Sequence, residues 1–172
     1  IRSEYGHPYR SDKEIICFAA SARFGFIAFA TVDNVIHIQN TPKGKGDISR
    51  KLTSIPLKLL ITKSWGFIVV QTQGEITILN QNGELIKTIK FEYDMNYWTT
   101  FSSVSGFDYI MFRYRINALC MFEAMYPEHV TFICEANDMV GVHYSQDFES
   151  LLIVNKLGKV TVKPIALSSM FK

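Results

Sequence analysis

Hydrophobic positions along this chain come in short runs. Within a run they either crowd together or occupy every second place. Between runs, Gly, Asn, Asp and Ser gather. The stretch ITKSWGFIVVQTQGEITILNQNGELIKTI (Ile61–Ile89) holds three apolar runs and two turns. KVTVK (Lys159–Lys163) alternates strictly, and EITIL (Glu75–Leu79) nearly so. Runs this short, rich in Ile, Val, Phe, Tyr and Thr and bounded by turn formers, predict strands. No stretch sustains the 3.6-residue period of a helix. Asn82-Gly83 predicts a type I′ hairpin, because both central residues of that turn need positive φ.

The same order of runs occurs four times, in segments beginning at Ile15, Ile55, Tyr97 and Met139. Each has an apolar entry run, a polar turn, a strongly apolar run, a tight turn and an alternating run. The second turn is anchored by Asn34, Gly74, Asn117 and Gly158, in steps of 40, 43 and 41 residues. Gly25 and Gly66 repeat the first turn 41 residues apart. A unit of about 40 residues with three or four antiparallel strands is the size of a β-propeller blade. The fold class expected is therefore all-β, a partial WD-type propeller of about four blades. The blades divide as residues 15–53, 54–93, 94–137 and 138–172, with 1–14 ending a preceding blade and entering the next. Leu52, Leu85–Lys90 and Val130–Cys134 supply outer strands for the first three blades, and the fourth has none evident. Stacked blades bury their faces on one another, so a short array leaves apolar faces bare. That, with RSEYGH (Arg2–His7) reading as the tail of an earlier blade, predicts the C-terminal part of a larger propeller.

Composition narrows the function classes. The 172 residues are 48% hydrophobic and 20% charged with net charge +2, so no general pull toward nucleic acid is expected. Cys17, Cys120 and Cys134 are odd in number, lack Cys-x-x-Cys spacing and sit in apolar runs, as small buried hydrophobes do. With no usable Asn-x-Ser/Thr acceptor, they suit a cytoplasmic setting. No run approaches the roughly 18 apolar residues of a membrane span. IRSEYGH has no signal-peptide plan and opens on Ile1, which reads as the middle of something longer.

No chemistry-bearing constellation emerges. TPKGKGDISRK (Thr41–Lys51) is basic and glycine-rich but lacks phosphate-cradle spacing, and reads as a solvated loop between the third and fourth strands of blade one. His7, His37, His129 and His143 are scattered, with no ligand-like pairing, and His143 is expected to be a packed or hydrogen-bonded strand residue. Asp108, Glu123 and Glu149 occupy unrelated blade positions. Trp65 and Trp98 lie beside apolar runs and predict core packing. No catalytic residue, cofactor or metal site is expected. The strongest candidate for function is Arg113-Tyr114-Arg115, at a turn of blade three. Tyr and Arg combine contact area with directed polar groups and dominate binding hot spots. EYDMNY (Glu92–Tyr97) and HPYRSD (His7–Asp12) join the same face, which offers a partner Tyr9, Arg10, Tyr93, Asp94, Arg113, Tyr114 and Arg115.

Gly6-His7, followed by an alternating strand, resembles a WD repeat without its Trp-Asp, the place of which is taken by His37 and Ile38. In that family a His, a strand Ser/Thr and a turn Asp form a hydrogen-bonded network, parts that fall here to His7, Thr31 and Asp33. Ile61–Val70, Asn82–Phe91, Ser105–Phe112, Phe122–Cys134 and Ile153–Pro164 resemble the C-terminal WD-repeat region of Beige/BEACH-domain proteins. That resemblance implies a piece of a large intracellular scaffold in vesicle trafficking and autophagy, with a BEACH domain and further blades preceding it. Other proteins, bound through propeller loops, are the expected partners. Two alternatives are a stand-alone adaptor of another pathway and a phosphoinositide- or membrane-surface-binding propeller, peripheral on intracellular membranes and resting on Lys43, Lys45, Arg50 and Lys51.

Overall fold

A computed structural model describes residues 11–40, 47–103 and 105–166. Among them lie fifteen strands and no helix. β1 (Ile15–Ser21), β2 (Phe26–Thr31), β3 (Val35–Asn40) and β4 (Ile48–Lys51) form the first sheet. β5 (Pro56–Ile61), β6 (Ile68–Thr72), β7 (Glu75–Leu79) and β8 (Leu85–Lys90) form the second. β9 (Asn96–Ser102), β10 (Asp108–Tyr114), β11 (Ala118–Glu123) and β12 (Thr131–Glu135) form the third. β13 (Met139–Ser145), β14 (Ser150–Asn155) and β15 (Val160–Pro164) form a three-stranded fourth. Every sheet is a meander in which chain neighbours are hydrogen-bonded neighbours, the blade plan.

Inner strands are buried on both faces, which is why their sequences run apolar without a break. All five residues of β6 are buried, as are the first five of β10. The outer strands β4 and β8 set exposed residues beside half-buried ones, as does β15 at the edge of the three-stranded sheet. β1 leaves Ile15 and Phe18 in solvent, and β15 leaves Val160 and Val162.

The chain divides into two compact units. One gathers the described residues up to Ile61 with Gly66–Gln73 and Thr77–Thr88. Its core packs Phe26, Ala28, Ile36 and Ile38 of the first sheet on Leu59, Ile61, Ile68 and Val70 of the second. The other gathers Thr62–Trp65, Gly74–Ile76 and the described residues from Ile89 onward. Its core packs Phe101, Tyr109, Leu119 and Met121 of the third sheet on Met139, Tyr144, Leu151 and Ile153 of the fourth.

A bulge recurs in every blade, in the opening turn of its first strand. Register shifts fall between Ile15 and Cys17, Pro56 and Lys58, and Met139 and Gly141. In the third blade Arg113 pairs Asn96 while Met111 pairs Thr99, which leaves Tyr97 and Trp98 against Phe112 alone. The extra residue turns a side chain out of the pleat. Ile16, Leu57, Tyr97 and Val140, apolar residues at these bulges, are accordingly exposed.

Several turns differ from expectation. Ile48–Lys51, read as loop, forms strand β4 against Val35–Ile38, because Ile48 and Arg50 alternate with Ser49 and Lys51 and Ile48 packs on the first unit's core. Thr41–Gly46, with Lys43 and Lys45, lies outside the described residues. Asn82-Gly83 is not a type I′ turn. Gly83 has φ 73°, whereas Asn82 keeps a negative φ. The Asn80 side-chain oxygen instead accepts from the Asn82 and Glu84 N–H groups at 2.9 and 3.0 Å. Asn155 builds the same loop, accepting from Leu157 and Lys159 at 3.0 and 2.9 Å before Gly158. The left-handed residue in blade three's second turn is Arg115 (φ 53°), not Asn117. Tyr114 pairs Ala118, and this short connection forces the reversal onto its first residue. His143 is exposed, since Tyr144 takes the inward position of β13 and donates to the Ile165 carbonyl at 3.2 Å.

Gly66 and Gly74 separate two reasons for glycine. Both have positive φ, 66° and 79°. A Cβ on Gly66 would fall 2.6 Å from Gln81 Nε2 and 2.9 Å from the Phe24 ring, whereas Gly74 has nothing within 4 Å. Gly74→Ala should cost about 1 kcal/mol, the left-handed penalty alone. Gly66→Ala should cost at least about twice that, read as the shift in urea midpoint at constant m-value.

Candidate protein-interaction site

The site grows from the segment joining β8 to β9. Phe91 and Met95 are buried and pin its two ends. The Phe91 ring packs on Phe122 and Phe112, centroids 5.4 and 6.0 Å away. Tyr93 and Asp94 are held between these anchors. Tyr93 meets Phe112 at 6.0 Å and Tyr114 at 4.9 Å, both edge to face, a geometry aromatic pairs favour. Asp94 is exposed and accepts from Asn96 Nδ2 at 2.9 Å.

Arg113 lies near the end of β10, opposite the bulge. Its guanidinium lies 4.4 Å from the Tyr97 ring centroid, and Nη1 donates to the Met139 carbonyl at 2.7 Å. Its Nε is buried without a hydrogen-bond partner. Arg113 is thus a structural member, tying β9 and β10 to the start of β13. Arg115, exposed in the turn, lies 5.1 Å from the Tyr114 ring centroid. The result is a ledge of Tyr93, Tyr114 and Arg115 with Asp94 in the same segment as Tyr93. Both Tyr97 (φ 50°) and Arg115 hold left-handed backbones that L residues adopt at a cost, a condition common where side chains are presented for function.

Of the residues expected here, the structure brings together Tyr93, Arg113, Tyr114 and Arg115, with Asp94 beside Tyr93. Tyr9 and Arg10 lie outside the described residues. Tyr97 is the member that sequence reasoning did not single out. Its signal is a bulge, a tertiary irregularity with no composition of its own. Chemically the ledge offers a cation stacked on π-faces and one acceptor. It holds no nucleophile with an adjacent base. Such a surface suits a carboxylate beside an apolar side chain.

Two buried networks hold the blades. In blade one Thr31 Oγ1 lies 2.6 Å from Asp33 Oδ1, to which it donates, and 3.1 Å from His37 Nε2. His7 lies outside the described residues, and the histidine seen on Thr31 is His37 of β3. Phe29 stacks on the His37 ring, centroids 4.8 Å apart. Lys51 Nζ donates to the Asp33 carbonyl. The hydrogen bond from Thr31 holds the Asp33 carboxyl below the usual range, helped by the charges of Lys51 and Lys13. In blade three Asp108, 3% exposed, accepts from the Ser64 and Trp65 N–H groups at 2.8 and 2.9 Å and from Ser102 Oγ at 2.9 Å. Trp65 is therefore not core. It is 61% exposed, and its indole Nε1 donates to the Gly106 carbonyl at 2.8 Å, because the backbone around it is committed to Asp108. Cys120 is buried and Cys17 and Cys134 are half-buried. Burial pushes all three thiols up, which suppresses the reactive thiolate. Among the described residues no three His, Cys, Asp or Glu side chains gather as metal ligands.

Four blade-like meanders define the class of protein, a β-propeller, and solved structures agree. Among the chains of like fold is BBS1N, crystallised in complex with ARL6DN and soaked with lead. It matches with a TM-score of 0.62 at 11% identity, over 81% of this chain and 43% of that one. Another is BamB from Moraxella catarrhalis, with a TM-score of 0.62 at 12% identity, over 92% of this chain and 49% of that one. Both are β-propellers, and the likeness at this identity establishes the fold. The chain spans less than half the length of either. No family model and no curated protein matches it.

Thr31→Val should keep the buried volume while removing the Oγ1 donor. The Asp33 carboxyl should then titrate higher, toward the ordinary range, in a carbon-detected NMR titration. A folded-state pKa below the unfolded one contributes stability that is present above the unfolded value and lost as pH falls through the folded one. The variant should therefore lose part of the acid-side slope of stability against pH. Asp108→Ala should cost about 2 kcal/mol in denaturant unfolding, since it removes a buried carboxylate that accepts from two part-buried N–H groups and a hydroxyl.

Proposed function

We propose that this chain is a non-catalytic protein-interaction segment of a larger propeller, and that it serves a BEACH-type scaffold in membrane trafficking. The observation that carries the interaction reading is the ledge: Arg115 over the Tyr114 ring, Tyr114 edge to face with Tyr93, all mounted on buried Phe91, Phe112 and Phe122. Rigid support lowers the ordering cost of binding, so an aromatic–arginine surface on a packed aromatic base is a good hot spot. One propeller of like fold, BBS1N, is in complex with a protein partner, ARL6DN, which supports the same kind of use here. The trafficking element rests on the likeness of Ile61–Val70, Asn82–Phe91 and Phe122–Cys134 to BEACH-protein repeats. On that reading the chain is cytoplasmic and follows a BEACH domain. The transcript upstream of the Ile1 codon tests that element: in-frame blades and a BEACH domain support it, and an immediate start codon counts against it.

Arg115→Gly separates binding from folding. Glycine adopts φ near 53° freely, so the variant should melt at or slightly above the wild-type temperature. Affinity capture from cells, with the full-length protein as bait, should recover the wild-type partners about tenfold less well with Arg115→Gly and Tyr114→Ala combined, as loss of hot-spot residues does. Undiminished recovery by the folded variant would sink the ledge as the contact.

A further inference from the structure

A cavity of about 730 Å³ opens at the end of the third sheet away from Arg113. It lies wholly within the second unit, and its size falls in the range of small-molecule sites. The inner wall is aromatic. Phe101 stacks on Tyr109, centroids 5.4 Å apart and planes at 23°, and tilts against Tyr144 at 4.7 Å. All three rings are buried, and Met121 and Phe122 also line the cavity. Two further rings lining the cavity are held half in water: Phe107 is 49% exposed and Tyr126 is 52% exposed.

The lining carries two carboxylates, with His129 and neutral polar side chains beside them. Glu123, from the end of β11, and Glu149, from the turn between β13 and β14, both contribute to it, and no Lys or Arg does. Glu123 sits across the strand pair from Tyr109. Burial pushes its carboxyl up and, with Glu123 nearby, pushes the Tyr109 phenol up too. The coulombic part of the Tyr109 shift places the negative charge of Glu123 beside the aromatic wall. Glu149 is fixed at φ 43°, and its carbonyl accepts from the Ile165 N–H at 2.8 Å, so the second carboxylate is mounted on a constrained backbone.

Charge and apolar wall together select the ligand. A hard metal ion needs convergent oxygen or nitrogen donors, and no such group of three forms among the described residues. A primary ammonium would lose its hydration against rings that return few hydrogen bonds. An alkylated ammonium loses little water, spreads its charge over methyl groups and is attracted by aromatic faces. We propose that this cavity binds an alkylated ammonium group, with the aromatic wall receiving the methyl groups and Glu123 and Glu149 balancing the charge. Two sources share that chemistry, a free quaternary amine and a methylated lysine side chain.

Isothermal titration of the full chain with three probes tests this: choline, Nα-acetyl-Nε-trimethyllysine methylamide and the neutral isostere 3,3-dimethylbutan-1-ol. At least one cation should bind about tenfold or more tighter than the isostere, in keeping with cation–π and ion-pair contributions. The tighter cation identifies the source. Glu123→Gln should abolish the preference for charge, and Tyr126→Leu at the half-exposed rim should weaken the cation more than the alcohol. Melting curves of both variants verify that they are folded. Equal binding of cation and isostere, no binding of either cation, or a preference unchanged in folded Glu123→Gln would overturn the proposal.

Discussion

Two-faced burial of the inner strands is the constraint on which the rest of the molecule depends. Strands such as β6 and β10 have no solvated face along most of their length. Their backbone groups are satisfied by the ladder, and their side chains by neighbouring sheets. Polar chemistry is therefore driven to the strand ends. The turns, the bulges and the segments between blades carry nearly every side-chain hydrogen bond that matters. Thr31 ends β2 with Asp33 just beyond it, Asp108 begins β10, and Asn80 and Asn155 close loops.

The two ends of a blade's second strand are closed in different ways in blades one and three. Blade one closes the end of β2 with a hydroxyl, a carboxylate and an imidazole drawn from one sheet. Blade three uses one buried carboxylate to gather two N–H groups of the 64–65 turn and a serine of its own first strand. Both provide local acceptors for groups that packing has removed from water.

The third sheet presents different chemistry at its two ends. At one end a bulge and a left-handed turn push Tyr97 and Arg115 outward, and the arginines lie over tyrosine rings. At the other, carboxylates sit beside buried rings with no Lys or Arg in the lining. The strand pair β10–β11 connects them: Arg113 and Tyr114 lie at one end of the register, Tyr109 and Glu123 at the other. A single sheet thus keeps its arginine-bearing end apart from its carboxylate-bearing end.

Much of the fold was legible from the chain itself. Short β-branched runs between turn formers, recurring about every 40 residues, follow from blade geometry, and local rules are enough to read them. Gly66 and Gly158 betrayed their turns because positive φ is a local demand. Tyr93, Tyr114 and Arg115 were legible as a candidate surface because residue type and turn position are local as well. What the sequence could not carry were features decided by packing between segments. Ile48–Lys51 became a strand because β3 offered it an edge and the core accepted Ile48. His37 reached Thr31, and Trp65 moved into solvent, because each answered a partner in another element. Tyr97 joined the site through a bulge, and Glu123 gained its charge environment from rings contributed by β9, β10 and β13. Patterns with a period belong to one strand and can be read along it. Burial, register shifts and electrostatic surroundings belong to pairs of segments, and only the folded chain specifies which pairs meet.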